Sequence, residues 1–414
     1  MQVIRPKYTD LDHMLREHWP EFVVFSTDTH LTTSVNCGER IHVPTHIPLV
    51  AKRGMISNFT AAARNNGLPP PVRMINEDPS TWWRHYRGQP LDGKTVAAWM
   101  IGGFGDLCFF QPIIREIKER WPSCKVKCLS FPSCEMFLRT WDLFDSFCTI
   151  PSSLRYLEDA EYHLAFDDCI VHCLEAEKVN AYRLAAKWFN LDIDDEDLRP
   201  QLTPRQDDVD DVLRYLNEQG VEAGKYIYVQ FRASAFIRTP SPRAWQEILI
   251  PLLCDGYHMV VADMMPAAKV VDNYIEKFFP EDLRKNIHNF TARSRNFNKV
   301  VAAISQSSIA IHPDSSTGHV AQGLGIPSLG IYGGFNPELR MGTYKNCEWV
   351  QPNSGSDICE YGGRHCHLHT FDVAYLERPW EHCKCYDKLD FEEVYEKAVK
   401  LLTARGNTNG PRTN

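Results

Sequence analysis

The chain has 414 residues, too many for one ordinary core, so two or three domains are expected. Its composition is that of a globular protein, and a net charge of −8 weighs against a dedicated polyanion binder. No apolar run of about 18 residues and no charged-then-apolar leader occurs, so neither a spanning helix nor a secretory signal is expected and a cytoplasmic location follows.

In chain order, residues 1–90 read as an irregular N-terminal extension. Pro44, Pro48 and the triple Pro69-Pro70-Pro71 interrupt short β-like runs such as EFVVFST. Its end packs Trp82, Trp83, Arg84, His85, Tyr86 and Arg87 together. That mixture suits stacking on sugars or bases, or a core edge followed by a turn. From Lys94 the pattern changes. TVAAWMI is a buried strand, GGFGD a turn, and LCFFQPIIREIKERWP carries Leu107, Phe110, Ile113, Ile114, Ile117 and Trp121 at helical spacing. The strand KVKCLSF, a helix-like SCEMFLRTWDLF and the strand SFCTI follow. Strands alternating with helices predict a parallel sheet. Cys108, Cys128, Cys148 and Cys254 stand in apolar contexts where a thiol serves as a small core residue.

The pattern restarts with the acidic helix DDVDDVLRYLNEQG. YIYVQF, a helix through Trp245 to Cys254, HMVVAD, KVVDNYIEKFF, NKVVAAISQS, SIAIHPD, a helix from Thr317 and PSLGIYG come after it. Two α/β halves joined near residues 195–225 are therefore expected, with ligand bound at the carboxyl ends of their strands.

Two loops carry the chemistry. Gly102, Gly103 and Gly105 follow a strand and open a helix, where backbone N–H groups favour negative charge. As a dinucleotide fingerprint the stretch fails. Cys108 stands where a third small residue is needed, and Ser130-Phe131 supplies no carboxylate for a ribose. Asp106, at the helix start, suits either an N-cap or a general base. The second loop, HPDSSTGH, sets Asp314, Ser315, Ser316, Thr317, Gly318 and His319 ahead of a helix of small residues. Its hydroxyls and first-turn N–H groups are donors of the kind phosphate oxygens need.

Both loops lie in stretches that resemble the family 9 glycosyltransferases, the heptosyltransferase-like group of the GT-B superfamily. IGGFGDLCFFQPIIREIKERWP is similar to the family's first strand-turn-helix, with Pro112 six residues after Asp106. IAIHPDSSTGHVAQGLGIPSLGIYGGFNPE is similar to its second signature at Asp314, Ser315, His319, Gly325, Pro327 and Asn336-Pro337. Ser316 departs from the pattern, since many members have Gly there. The resemblance spans roughly residues 94–345 and the last helix. It implies an α/β GT-B fold of two facing Rossmann-like domains, here with an N-terminal extension and a Cys/His-rich C-terminal insertion. The expected division is 1–90 for the extension, 91–210 for an acceptor domain and 211–345 for a donor domain. The insertion takes 346–388, and a C-terminal helix and tail take 389–414.

The resemblance also implies inverting transfer of a sugar from a nucleotide-sugar donor to an acceptor hydroxyl, with no cofactor required for catalysis. Asp106 is then the general base, and Asp314, Ser315, Ser316, Thr317, Gly318 and His319 bind the donor, with capping or packing as the alternative role for His319. A family Lys seven residues before a Trp reaches the phosphates, and that offset from Trp245 falls on Arg238; Arg232 and Arg243 compete. Residues 289–296 lie where members contact the nucleobase. The acceptor is expected to be a glycan, with protein and modified DNA as alternatives. Other readings of the fold are a nucleotide-sugar epimerase or hydrolase and a non-catalytic binding module.

After Lys345, the cysteines Cys347, Cys359, Cys366, Cys383 and Cys385 and the histidines His365, His367, His369 and His382 are dense. They suit a structural Zn or Fe site, although no Cys-x-x-Cys pair occurs; free thiols or disulfides are the alternative.

Overall fold

The computed structural model describes residues 84–165, 174–263, 268–294, 296–333, 335–352 and 382–404. It also describes strands at 22–27, 31–35, 39–43, 49–52 and 72–75. The chain divides into two compact units, Pro6–Leu198 and Arg199–Asn414.

In the first unit, the proline-interrupted N-terminal stretch is more regular than its sequence suggests. It forms β1 (Phe22–Thr27), β2 (Leu31–Val35), β3 (Glu39–Val43), β4 (Leu49–Lys52) and β5 (Val72–Ile75). β2 and β3 pair antiparallel, and β1 lies between β4 and β5. After β6 (Arg84–His85) come β7 (Thr95–Met100), α1 (Phe104–Arg120), β8 (Lys125–Ser130), α2 (Pro132–Leu138) and β9 (Ser146–Thr149). Then follow β10 (Ser152–Ser153), β11 (Tyr162–Leu164) and α3 (Ala181–Trp188). β10 joins the edge of the small antiparallel sheet at β4. The other strands form a parallel sheet in the order β6-β11-β7-β8-β9.

After Thr95, central β7 is a continuous apolar run of the kind a strand covered on both faces carries, and every residue from Val96 to Met100 is buried. Trp99, fully buried beneath the helices, satisfies its indole by donating to His163 Nδ1 at 2.6 Å. Leu107, Phe110, Ile113, Ile114 and Ile117 are buried along α1, as their spacing predicts. Tyr86 is fully buried edge-on to Trp121 at 6.1 Å, and Arg87 lies 4.4 Å over the Trp188 ring. Of the two readings of this aromatic-basic cluster, these residues follow the core edge; Trp82 and Trp83 lie outside the described residues.

The second unit runs α4 (Gln206–Glu218), β12 (Tyr226–Val229), α5 (Pro242–Cys254), β13 (His258–Val261), α6 (Ala268–Phe278) and β14 (Ile287–Asn289). It continues with α7 (Phe297–Ser305), β15 (Ile309–Pro313), α8 (Ser316–Gly323), β16 (Ser328–Ile331), β17 (Cys347–Val350) and α9 (Phe391–Ala404). Its six strands are all parallel, in the order β14-β13-β12-β15-β16-β17. Numbered from β12 this is 3-2-1-4-5-6, the doubly wound order, whose direction reverses between β12 and β15. A crevice opens at the carboxyl ends of those two strands in such sheets. β12 and β15 are buried along their whole length, so only their exits reach polar surroundings. α9 packs by Val394, Ala398, Leu401 and Leu402, an i, i+4, i+7, i+8 stripe.

Candidate functional site

The chain leaves β12 at Gln230 and β15 at Asp314, so the switch point of the second sheet sets the HPDSSTGH loop beside residues 230–239. Gln230 continues the strand pairing by donating its backbone N–H to the Ile311 carbonyl at 3.1 Å. Its side-chain Nε2 donates to the Arg232 carbonyl at 2.7 Å, which fixes the amide's orientation. The opposite atom, Oε1, accepts from Ser315 Oγ at 3.2 Å and from the Thr317 hydroxyl. Sequence reasoning missed this residue. A Gln at the end of an apolar strand has no local signature, and its partners lie 85 and 87 positions away.

Because Ser315 points its hydroxyl at Gln230, it occupies the N-cap of α8 without making a side-chain cap bond. The first-turn N–H groups of α8 are thereby left without the usual side-chain acceptor, at the end where the helix dipole is positive. Thr317 is buried, whereas Ser316 is half-buried and its hydroxyl has no partner among the described residues. Gly318 is dictated by packing. A Cβ there would lie 2.5 Å from His312 Cε1 and 2.6 Å from Met341 Cε.

His312 is itself fully buried, with Nδ1 2.8 Å from the Pro313 carbonyl. A carbonyl only accepts, so Nδ1 carries the proton and Nε2 is a bare lone pair, buried without a hydrogen-bond partner among the described residues. Burial pushes the imidazole down to about 4, against the pull of the Pro313 carbonyl and Asp314. His319 is buried too, and its Nδ1 bonds the Tyr344 hydroxyl. Burial, with smaller contributions from Arg340 and His312, pushes it down to about 3. Both rings are therefore neutral near pH 7.

Of the three arginines, Arg238 reaches the loop. It ends the short turn Phe236–Arg238, donates to Ser234, and holds Nη1 3.7 Å from Asp314 Oδ2. Arg232 is committed to a buried pair with Asp263, Nε to Oδ2 at 2.6 Å, and Arg243 lies exposed in the first turn of α5. Trp245 anchors this segment by donating its indole N–H to the Phe231 carbonyl at 2.9 Å. In residues 289–296, Asn289 donates to Asp272 at 2.7 Å and Thr291 Oγ1 accepts from the Asp263 N–H at 3.1 Å. Arg293 pairs with Glu218.

In the first unit, Asp106 is the N3 residue of α1 and Gly103 occupies the N-cap, one turn earlier than an Asp cap would require. The half-buried carboxylate accepts the Gly103 N–H at 2.9 Å, one arm of a capping box. Gly102 has φ +141°, and a Cβ there would come within 2.9 Å of Asp106 Cβ. Glycine is needed there for the carboxylate to fold back, and Gly105 lies within the first turn of α1.

Among the described residues, Cys347 stands apart from Cys383 and Cys385. Cys347 packs with Tyr332, Phe335 and Met341, while Cys385 and Cys383 belong to the main core beside Tyr386. Among the described residues no group of three or more His, Cys, Asp and Glu is placed to hold a metal. Cys359, Cys366, His365, His367 and His369 lie outside the described residues. No helix among the described residues is long and apolar enough to cross a membrane.

Neither protein-family models nor curated proteins match the sequence. Solved structures match its fold. ADP-heptose lps heptosyltransferase II of E. coli superposes with a TM-score of 0.56 at 14% identity, over 75% of this chain and 99% of its own. A glycosyltransferase family 9 structure from Veillonella parvula gives 0.57 at 12% identity, over 76% and 99%. The iron-containing dodecameric glycosyltransferase TibC of enterotoxigenic E. coli gives 0.50 at 13% identity, over 93% and 92%. Its complex with ADP-D-β-D-heptose gives the same score over 98% and 100%. By fold, the chain is similar to the heptosyltransferase-like family 9 glycosyltransferases and has their α/β, GT-B architecture.

Proposed function

We propose that the protein is an inverting glycosyltransferase that takes a sugar from a nucleotide-sugar donor and passes it to an acceptor hydroxyl, in the cytoplasm. The observation that carries the reading is the start of α8 at the β12/β15 switch point. There Ser315 is turned away to Gln230, the first-turn N–H groups have no side-chain cap, and Arg238 stands beside Asp314. A diphosphate supplies the charge and the acceptor oxygens such a helix start lacks. As the bond from sugar carbon to phosphate breaks, the carbon becomes oxocarbenium-like and negative charge grows on the leaving diphosphate. Arg238 and the α8 dipole are there to meet it. The half-buried Ser316 hydroxyl is a further donor, whereas the buried Thr317 hydroxyl, spent on Gln230, serves the loop's shape.

Asp106 takes the proton of the acceptor hydroxyl. A carboxylate can accept it because the hydroxyl grows more acidic as it bonds to carbon. Its bond to Gly103 N–H uses one lone pair and orients the group. No step is routed through a metal ion. Support comes also from the likeness in fold to TibC, whose structure holds ADP-heptose. The acceptor is proposed to be a glycan, with a protein or modified DNA as further candidates.

The test is incubation with a panel of nucleotide sugars, following nucleotide release with and without candidate acceptors. Acceptor-dependent release supports transfer. Equal release without acceptor favours an epimerase or hydrolase, and binding without turnover favours a non-catalytic module.

A further inference from the structure

We infer that Gln230 is a positioning residue for the diphosphate loop, the group that sets how the start of α8 presents itself to phosphate. The inference rests on the donor-binding reading above. Both of its hydrogen-bonding atoms are committed, and in opposite senses. Nε2 is tied to the Arg232 carbonyl at 2.7 Å, so Oε1 must face the loop, and it accepts from both Ser315 and Thr317. Without that acceptor the Ser315 hydroxyl would be free to fold onto the first-turn N–H groups as an N-cap Ser ordinarily does. Those are the donors a phosphate needs. Gln230 therefore keeps the helix start open.

The anchor behind Gln230 is stiff. Arg232 is 2% exposed and ion-paired to Asp263, and the Asp263 N–H is bonded to Thr291 Oγ1. A chain of contacts thus links the exits of β12, β13, β14 and β15, and Gln230 is its end at the loop. Charge matters as much as shape. A neutral amide oxygen accepts from both hydroxyls without opposing an anion, whereas a carboxylate at that atom would repel phosphate at close range.

The test is titration of the full chain with the diphosphate and the monophosphate of adenosine, uridine and guanosine in turn, by calorimetry, for wild type, Gln230→Glu and Gln230→Met. The base that binds wild type most tightly is then used. The expected result is a preference for diphosphate over monophosphate that falls at least tenfold in Gln230→Glu. In Gln230→Met it falls several fold, with the thermal midpoint little changed. A purely structural role would instead weaken both ligands alike, so an unchanged ratio in both variants overturns the inference while leaving the donor reading standing. Binding of all six nucleotides too weak to measure by wild type overturns the donor reading and this inference with it. Thr317→Val supplies an independent check. If Gln230 acts through the hydroxyls, Gln230→Met in the Thr317→Val background changes the ratio less than in wild type, and additive effects count against it.

Discussion

Replacing Gly318 with alanine sets two effects of opposite sign against each other. In a helix, Gly→Ala ordinarily stabilises by roughly 0.5–1 kcal/mol. Here the new methyl would lie 2.5 Å from His312 Cε1 and 2.8 Å from Nε2. The Met341 methyl, also close, is the end of a flexible chain and can yield. The imidazole cannot, because it is fully buried and its Nδ1 is tied to the Pro313 carbonyl. Overpacking of this kind costs about 1–3 kcal/mol. The clash wins, and a net loss of about 1–2 kcal/mol is expected, a fall of a few degrees in the thermal midpoint at ~2–4 °C per kcal/mol. Calorimetric melting of wild type and Gly318→Ala measures it. Pairing the change with His312→Ala removes the ring, so the double variant should be more stable than the two separate losses imply. A Gly318→Ala protein that melts above wild type, by the amount helix propensity alone supplies, would refute the packing argument.

Asp106→Asn should cut transfer by about 10²–10⁴-fold while donor affinity stays within a few fold. The amide oxygen still accepts the Gly103 N–H, so a loss would not come from a frayed α1; unchanged turnover removes Asp106 from catalysis. Arg238→Ala should weaken both donor binding and turnover, and an unchanged dissociation constant takes Arg238 out of the phosphate site. The histidines give a pH dependence whose sign is set. His288, buried on β14 with Nε2 3.0 Å from His258 Nδ1, is pushed down to about 4 by burial and by His258; with His312 at about 4 and His319 at about 3 it lies below the ordinary value near 6.5, so the unfolded chain binds their protons first as pH falls. Their stabilising effect is complete above about pH 6.5 and is lost as the pH falls toward about 4, at up to ~1.4 kcal/mol per pH unit for each. Urea midpoints at pH 7 and 5.5 should differ accordingly, and by less in His319→Gln; midpoints independent of pH between those values would contradict it.

Much of the fold is legible because its signals are local. Val96 to Met100, Tyr226 to Val229 and Ile309 to Ile311 are continuous apolar runs that only a doubly covered strand tolerates. The face of α1 and the acidic α4 follow helical spacing. The elements left unread are short or half-polar. β11, Tyr-His-Leu, and β14, Ile-His-Asn, are three residues each, and β17 mixes Cys347 and Glu348 with Trp349. In the site, the loop from Asp314 to His319 and the choice of Arg238 as its cation are what the family resemblance implies, and Arg238 does lie 3.7 Å from Asp314. That His319 turns to Tyr344, that His312 demands Gly318, and that Gln230 gathers two hydroxyls are facts of tertiary packing between distant segments. The sequence suits Asp106 to a cap or a base. It meets the backbone three residues before it because glycine at 102 leaves room for the carboxylate.

The most direct measurement is amide hydrogen exchange along the whole chain, with and without a saturating nucleotide sugar taken from the panel. Slowed exchange at Ser316, Thr317 and Gly318, lost when Arg238 is replaced by alanine, is the expected result. Protection confined to other segments while the sugar nucleotide is bound would contradict the assignment of its diphosphate to the start of α8.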